Sequence, residues 1–200
     1  MLLIVHEDQR SEYSDIFRQM YELRARQFKD RRGWRVDVTN GLERDRFDDL
    51  NPLYICVVSP DRKKLMASLR LLPTTGPHML SDVFPEVMGG APIVRDPLIL
   101  ESSRFCVDTQ MAKSFGPEGL NHVTRELLLG LFATAHDRGM KQIISVFDVY
   151  MERILARSGC IFDRVGPVQR YDNLRTVGGL FQVGPEVIEA LRRPEQRTAA

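Results

Sequence analysis

Residues 118–159 read EGLNHVTRELLLGLFATAHDRGMKQIISVFDVYMERILARSG, and the change of period along them decides the fold class. Leu120, Val123, Leu127, Leu128, Leu131, Phe132 and Ala135 recur every three or four residues. That spacing predicts a helix over Glu118–Arg138 with Gly139 behind its end. Gln142–Phe147 is then a short apolar run with β-branched residues, a buried strand. Val149–Arg157 returns to helical spacing and stops at Gly159. Helix, strand and helix in so short a space put helices against a sheet.

Upstream, Leu2–His6 reads as a strand. Ile16, Phe17, Met20, Tyr21, Leu23 and Phe28 predict a helix from Ser14 to about Lys29, with Ser11 or Ser14 as its cap and Gly33 past its end. Tyr54–Val58 and Leu65–Leu72 flank the turn Pro60-Asp61 and read as a hairpin. A helical turn at His78–Phe84 precedes a strand at Ile99–Val107. Downstream, strands at Cys160–Phe162, Val168–Tyr171 and Thr176–Val183 lead to a helix at Pro185–Arg192. Antiparallel strands followed by alternating helices and strands predict an α/β domain, three-layer α-β-α with a mixed central sheet. A single domain over 1–193 and a flexible polar tail, 194–200, are expected.

Charge and composition narrow the function. Lys and Arg total 28 against 27 Asp and Glu, so the chain is no polycation that holds nucleic acid by bulk charge. The longest apolar run, Leu127–Ala135, is far short of a bilayer span, and His6, Glu7 and Asp8 break up any secretory core after Met1–Val5. Cys56, Cys106 and Cys160 are odd in number and lack C-x-x-C spacing, which suits structural thiols in a reducing cytosol. A cytoplasmic protein without nucleic-acid or membrane partners is expected. His6, His78, His122 and His136 are scattered, so no metal site is expected, and no G-x-S-x-G elbow supports a serine triad.

Six charges sit where solvated surface is a poor explanation. Arg24 adjoins the apolar stripe of the first helix. Arg70 interrupts LMASLRLL, and Glu101 and Arg104 lie in LILESSRFCV. Asp45 and Asp48 are three apart in the long polar stretch Arg31–Leu50, which exceeds an ordinary loop. Unpaired burial of any of them costs several kcal/mol, so they are expected to meet. They form either an ion-pair network pinning the loop to the sheet or a polar cleft for a zwitterionic or anionic ligand. In the second case Glu101 is a candidate base, its charged form favoured by the neighbouring arginine. Trp34, the only tryptophan, stands among charges in RRGWR and is read as a stacking lid or a satellite-core anchor.

These residues, in this order, resemble the acyl-homoserine lactone synthases, the LuxI-type autoinducer synthases. The carriers are Arg24 and Phe28, Trp34 in RRGW, Asp45 and Asp48 in ERDRFDD, Arg70 in ASLRLLP, Phe84 in LSDVFPE, and Glu101 and Arg104 in ESSRFCVD. The segment SVFDVYMERILARSG follows, and the likeness runs from about residue 2 to about residue 183. The resemblance implies an N-acetyltransferase-like fold and two substrates: S-adenosylmethionine, and an acyl thioester on acyl carrier protein or coenzyme A. It implies amide formation, lactone closure and release of methylthioadenosine. No cofactor beyond these substrates is implied.

Arg24, Phe28, Trp34, Phe84 and Phe105 would then serve the S-adenosylmethionine site, with backbone N–H groups near Phe105 as an oxyanion hole. Asp45, Asp48, Arg70, Glu101 and Arg104 would form the catalytic cluster, and Ser103 and Ser145 would face the acyl chain. A basic patch led by Arg153 and Arg157, with Lys141, Arg164 and Arg170, would dock an acidic carrier. Two rivals remain open: a generic acyl-CoA N-acyltransferase, and a non-catalytic regulator that binds the same ligands. Thr109–Leu120, TQMAKSFGPEGL, lacks the R/Q-x-x-G-x-G/A pyrophosphate turn of the first rival.

Overall fold

The computed structural model describes residues 1–114, 119–171 and 173–193. The tail 194–200 and Glu118, the expected start of the long helix, lie outside the described residues. The strands are β1 (Leu2–His6), β2 (Val38–Thr39), β3 (Leu42–Glu43), β4 (Leu53–Val58), β5 (Leu65–Pro73), β6 (Ile99–Val107), β7 (Gln142–Asp148), β8 (Phe162–Arg164), β9 (Gln169–Tyr171) and β10 (Leu174–Gln182). The helices are α1 (Ser14–Ala25), α2 (Met79–Asp82), α3 (Thr109–Ser114), α4 (Gly119–Asp137), α5 (Val149–Arg157) and α6 (Pro185–Arg192).

The main sheet runs β1-β4-β5-β6-β7-β10-β8, with β9 also on β10. Among the described strands only β6 and β7 pair in parallel, so the sheet is mixed, as expected. Strand alternation divides the core. Ile55, Val57, Leu69 and Ile143 face α4, α5 and α6, while Tyr54, Cys56 and Val58 face α1. A third cluster joins Leu72, Ile99 and Ile144 to Phe47, Leu80 and Phe84. These are the three layers that the helical and strand periods required.

Two irregularities shape the centre. The β6–β7 ladder stops at Ser102↔Ser145, although β6 continues to Val107 and β7 to Asp148, so the two strands part. On the other side of β6 the register slips between Ser68↔Cys106 and Arg70↔Ser103, setting Arg104 and Phe105 against Leu69 alone. Arg104 takes the left-handed conformation there, φ +56°, which is costly for a side chain without local support. A bulge of this kind re-aims the side chain it carries.

Several expectations change. The first helix has Tyr13, not Ser11 or Ser14, at its N-cap, and Tyr13 makes no side-chain cap bond. Its end unwinds into a π-helical turn, Arg26–Arg31. The polar stretch that follows is not a bare loop. Asn40 and Gly41, φ +52° and +78°, make a tight turn between β2 and β3, and Arg46–Leu50 is a 3₁₀ turn. The connection Thr109–Leu120 contains α3.

Candidate active site

Arg24 leaves the last turn of α1 fully buried. Its Nε donates to Glu43 Oε2 at 2.5 Å, and its two terminal nitrogens donate to both oxygens of Asp48 at 2.9 Å. Arg70, equally buried on β5, donates to Asp45 Oδ1 at 2.5 Å, Asp45 Oδ2 at 3.1 Å and Asp48 Oδ1 at 2.8 Å. Arg104 completes the set, reaching Glu43 Oε1 and Asp45 Oδ2 at 2.7 Å each. Three guanidiniums thus face three carboxylates, with geometry that satisfies their donors. Tyr54 Oη donates a further bond to Asp48 at 2.6 Å.

Local structure prepares these groups. Asp45 caps the 3₁₀ turn, accepting from the Phe47 N–H at 2.9 Å, and the Asp45 N–H donates to Asp48 at 2.9 Å. Burial alone would push Asp48 up, but Arg24 and Arg70 outweigh it and hold the carboxyl well below the ordinary carboxylate range. Asp45 is also held low: burial opposes the shift, and Arg70 and Arg104 prevail.

Glu101 departs from expectation. It does not bond Arg104, which the bulge turns toward Glu43. Instead its oxygens accept the Met79 N–H at 2.9 Å and the Leu80 N–H at 2.6 Å. Burial raises its pKa, and those two N–H groups only partly oppose the rise. Arg70 also favours the ionised form, but burial outweighs it, so the expectation that Glu101 would work without a raised pKa is corrected. A carboxyl shifted upward is better matched to take a proton near neutral pH.

The parting of β6 and β7 opens a chamber in front of Glu101. Phe28, Trp34, Phe84, Arg104 and Phe105 line it, as do Ser103 and Ser145. Trp34 meets Phe84 edge-on at 5.3 Å between centroids, and its indole N–H is buried with no partner among the described residues. The Arg104 guanidinium lies 5.0 Å over Phe28. Ser103 Oγ accepts from Arg70 at 3.2 Å, and Ser145 Oγ donates to the Ser102 carbonyl at 2.7 Å. Arg24, Asp45, Asp48 and Arg70 do not line the chamber; they stand behind it.

A second groove, lined by Gln27, Arg31, Thr124 and Arg157, shares Arg32, Phe105 and Met151 with the chamber. At this junction Arg32 pairs with the buried Asp148, whose Oδ1 also caps α5 through the Tyr150 and Met151 N–H groups. Arg153 and Arg157 are exposed on α5, beside the exposed Tyr150 and Ile154. Of the other cations expected in the patch, Arg164 pairs with Glu152 at 2.8 Å, Arg170 has an interaction of its own, and Lys141 stands at the far end of β7 from α5.

Sequence reading missed Glu43, the carboxylate that joins two of the arginines, and Tyr54 and Arg32, and it did not see that Asp148 caps α5. Asn40-Gly41 is a strong hairpin signal and would have put Glu43 on a strand beside Asp45. Asp148 before an amphipathic segment is an N-cap signal.

The autoinducer synthase family model matches residues 7–191. A probable acyl-homoserine-lactone synthase of Sinorhizobium fredii is 34% identical over 197 residues, covering 98% of this chain and 94% of that protein. The solved acyl-homoserine-lactone synthase LasI superposes with a TM-score of 0.84 at 29% identity, covering 98% of both chains. MesI, a coenzyme A-dependent acyl-homoserine lactone synthase, superposes at 0.80 and 29% identity, covering 96% of this chain and 94% of its own. A putative N-acetyltransferase from Lactobacillus plantarum shares the fold alone, at 17% identity and a TM-score of 0.59. The N-acetyltransferase-like fold, the buried charges behind the chamber and these likenesses agree: the chain belongs to the autoinducer synthase family.

Proposed function

We propose that the chamber is where the amine of S-adenosylmethionine attacks an acyl thioester, with Glu101 taking the amine's proton. The chain is an acyl-homoserine lactone synthase, an acyltransferase. The observation that carries the site assignment is Glu101 itself, a buried carboxyl on two backbone N–H groups, raised in pKa, where β6 and β7 part. The amine is protonated in water, so a positioned base must remove that proton, directly or through one water. The nitrogen then bonds the thioester carbon, the carbon–sulfur bond breaks, and the carrier thiol leaves with a proton. Lactone closure follows when the substrate carboxylate attacks the carbon bearing the sulfonium, expelling methylthioadenosine. That second step is mainly positioning.

Phe28, Trp34 and Phe84 supply aromatic faces for adenine or the sulfonium, and the Trp34 N–H, without a partner among the described residues, can donate to that substrate. Phe105, beside the bulge, carries a backbone N–H suited to the thioester oxygen. Ser103 and Ser145 stand where the acyl chain begins. Arg24, Asp45, Asp48 and Arg70, with Glu43, are positioning residues: they fix the end of α1 and the β2–β3 hairpin against the sheet so that Phe28 and Arg104 face the chamber. The donor arrives on an acyl carrier protein that reads Arg153 and Arg157, and its arm follows the groove to the Arg32 junction. Burial of Tyr150 and Ile154 would add apolar area to that contact.

The test is methylthioadenosine release from S-adenosylmethionine with one acyl group offered on carrier protein and on coenzyme A. Release that requires the thioester is expected, and it is faster with the carrier. Ligand binding without release would overturn the synthase reading, and a preference for coenzyme A would overturn the donor.

A further inference from the structure

Away from Glu101 the chamber becomes apolar and ends in aromatic rings. Phe132 from α4, Phe147 from β7 and Phe181 from β10 line it there. Phe162 does not line it. That ring stands behind, 5.2 Å from Phe147 and 5.0 Å from Phe181, and Phe181 lies 6.1 Å from Phe132.

Gly179 shows why this wall sits where it does. It lies mid-strand on β10 opposite Ser145, and its φ is outside the left-handed region, so no turn calls for glycine. A Cβ at this position would stand 2.8 Å from Phe147 Cζ and 2.9 Å from Phe162 Cδ2. Glycine inside a strand weakens it and marks a close approach. Here the approach is that of two phenylalanine rings laid on bare backbone. The Phe147 ring thus reaches back along the sheet to the level of Ser145, the residue that Gly179 opposes.

We propose that Phe147, seated on Gly179 and braced by Phe162, sets the acyl-chain length, and that the enzyme selects short acyl groups over long ones. This rests on the synthase reading above. A longer chain has to displace a packed four-ring cluster, and close-packed interiors resist added methylenes.

The experiment measures methylthioadenosine release with butanoyl, hexanoyl, octanoyl and dodecanoyl thioesters on one carrier. The unmodified enzyme should favour hexanoyl over dodecanoyl by about tenfold or more. Phe147→Ala and Phe162→Ala should each raise the dodecanoyl-to-hexanoyl ratio by about tenfold. Gly179→Ala should act in the opposite sense, driving the rings into the chamber and lowering hexanoyl relative to butanoyl. Ratios within one preparation are unaffected by loss of folded protein. A dodecanoyl preference in the unmodified enzyme, or one length profile shared by all variants, would overturn the proposal. Release with no donor at all would instead overturn the synthase reading on which it rests.

Discussion

The two ends of this chamber are built on opposite principles. Behind the Glu101 end, three arginines and three carboxylates share directional bonds, and Arg24, Arg70 and Asp48 are fully buried. At the far end, phenylalanine rings hold one another by contact alone, and a glycine makes the room. An ionic assembly tolerates almost no loss of a member, because the partner left behind stays buried and unpaired. An apolar wall yields by degrees as volume is removed. The chemistry-bearing end should therefore be brittle and the far end graded.

The largest expected effect is on turnover. Glu101→Gln should lower single-turnover acylation about 10²- to 10⁴-fold, the scale of general-base catalysis, while circular dichroism stays that of the parent. Near-parental acylation would return Glu101 to a structural role. Glu43→Ala strips a partner from both Arg24 and Arg104 and should cost about 3–5 kcal/mol of unfolding free energy. Chemical denaturation reads it directly, and a loss below about 1 kcal/mol would show that the network is no tighter than a surface pair.

How far these residues could be read from sequence follows the same division. α5 and α6 match their expected bounds because their spacing and stops are local. The charges Arg24, Asp45, Asp48, Arg70 and Arg104 were legible because each breaks an apolar or structural pattern. Glu43 was not, since a two-residue strand has no period to violate. The partners of Glu101 were also hidden: they are backbone N–H groups that are 21 and 22 residues away in the chain and are brought close by the sheet. The left-handed Arg104 has no sequence signature at all.

Acid sharpens the contrast. Asp45 and Asp48 are depressed in the folded state, so the stability they give is present above the ordinary carboxylate pKa of about 3.9 and is lost as pH falls through their lower folded values. Unfolding free energy followed downward from pH 5 should fall with a slope that Asp48→Asn reduces and Phe162→Ala leaves alone. Equal slopes in both variants would dissociate acid sensitivity from the network. The smallest effect belongs to the surface: Arg153→Glu with Arg157→Glu should raise KM for an acyl carrier protein several-fold, more at low salt, and leave kcat nearly unchanged. An unchanged KM would remove α5 from carrier docking.

Gly179 carries a consequence for inheritance. A position that controls the length of a product's tail, yet lies outside the groups that move protons, can vary without silencing the enzyme. Effects at well-separated sites are nearly additive, so exchanges at 147, 162 or 179 leave the ionic half intact. Lineages that share this scaffold can diverge in the molecule they emit through a few substitutions on one wall, and neighbouring populations would then cease to hear one another.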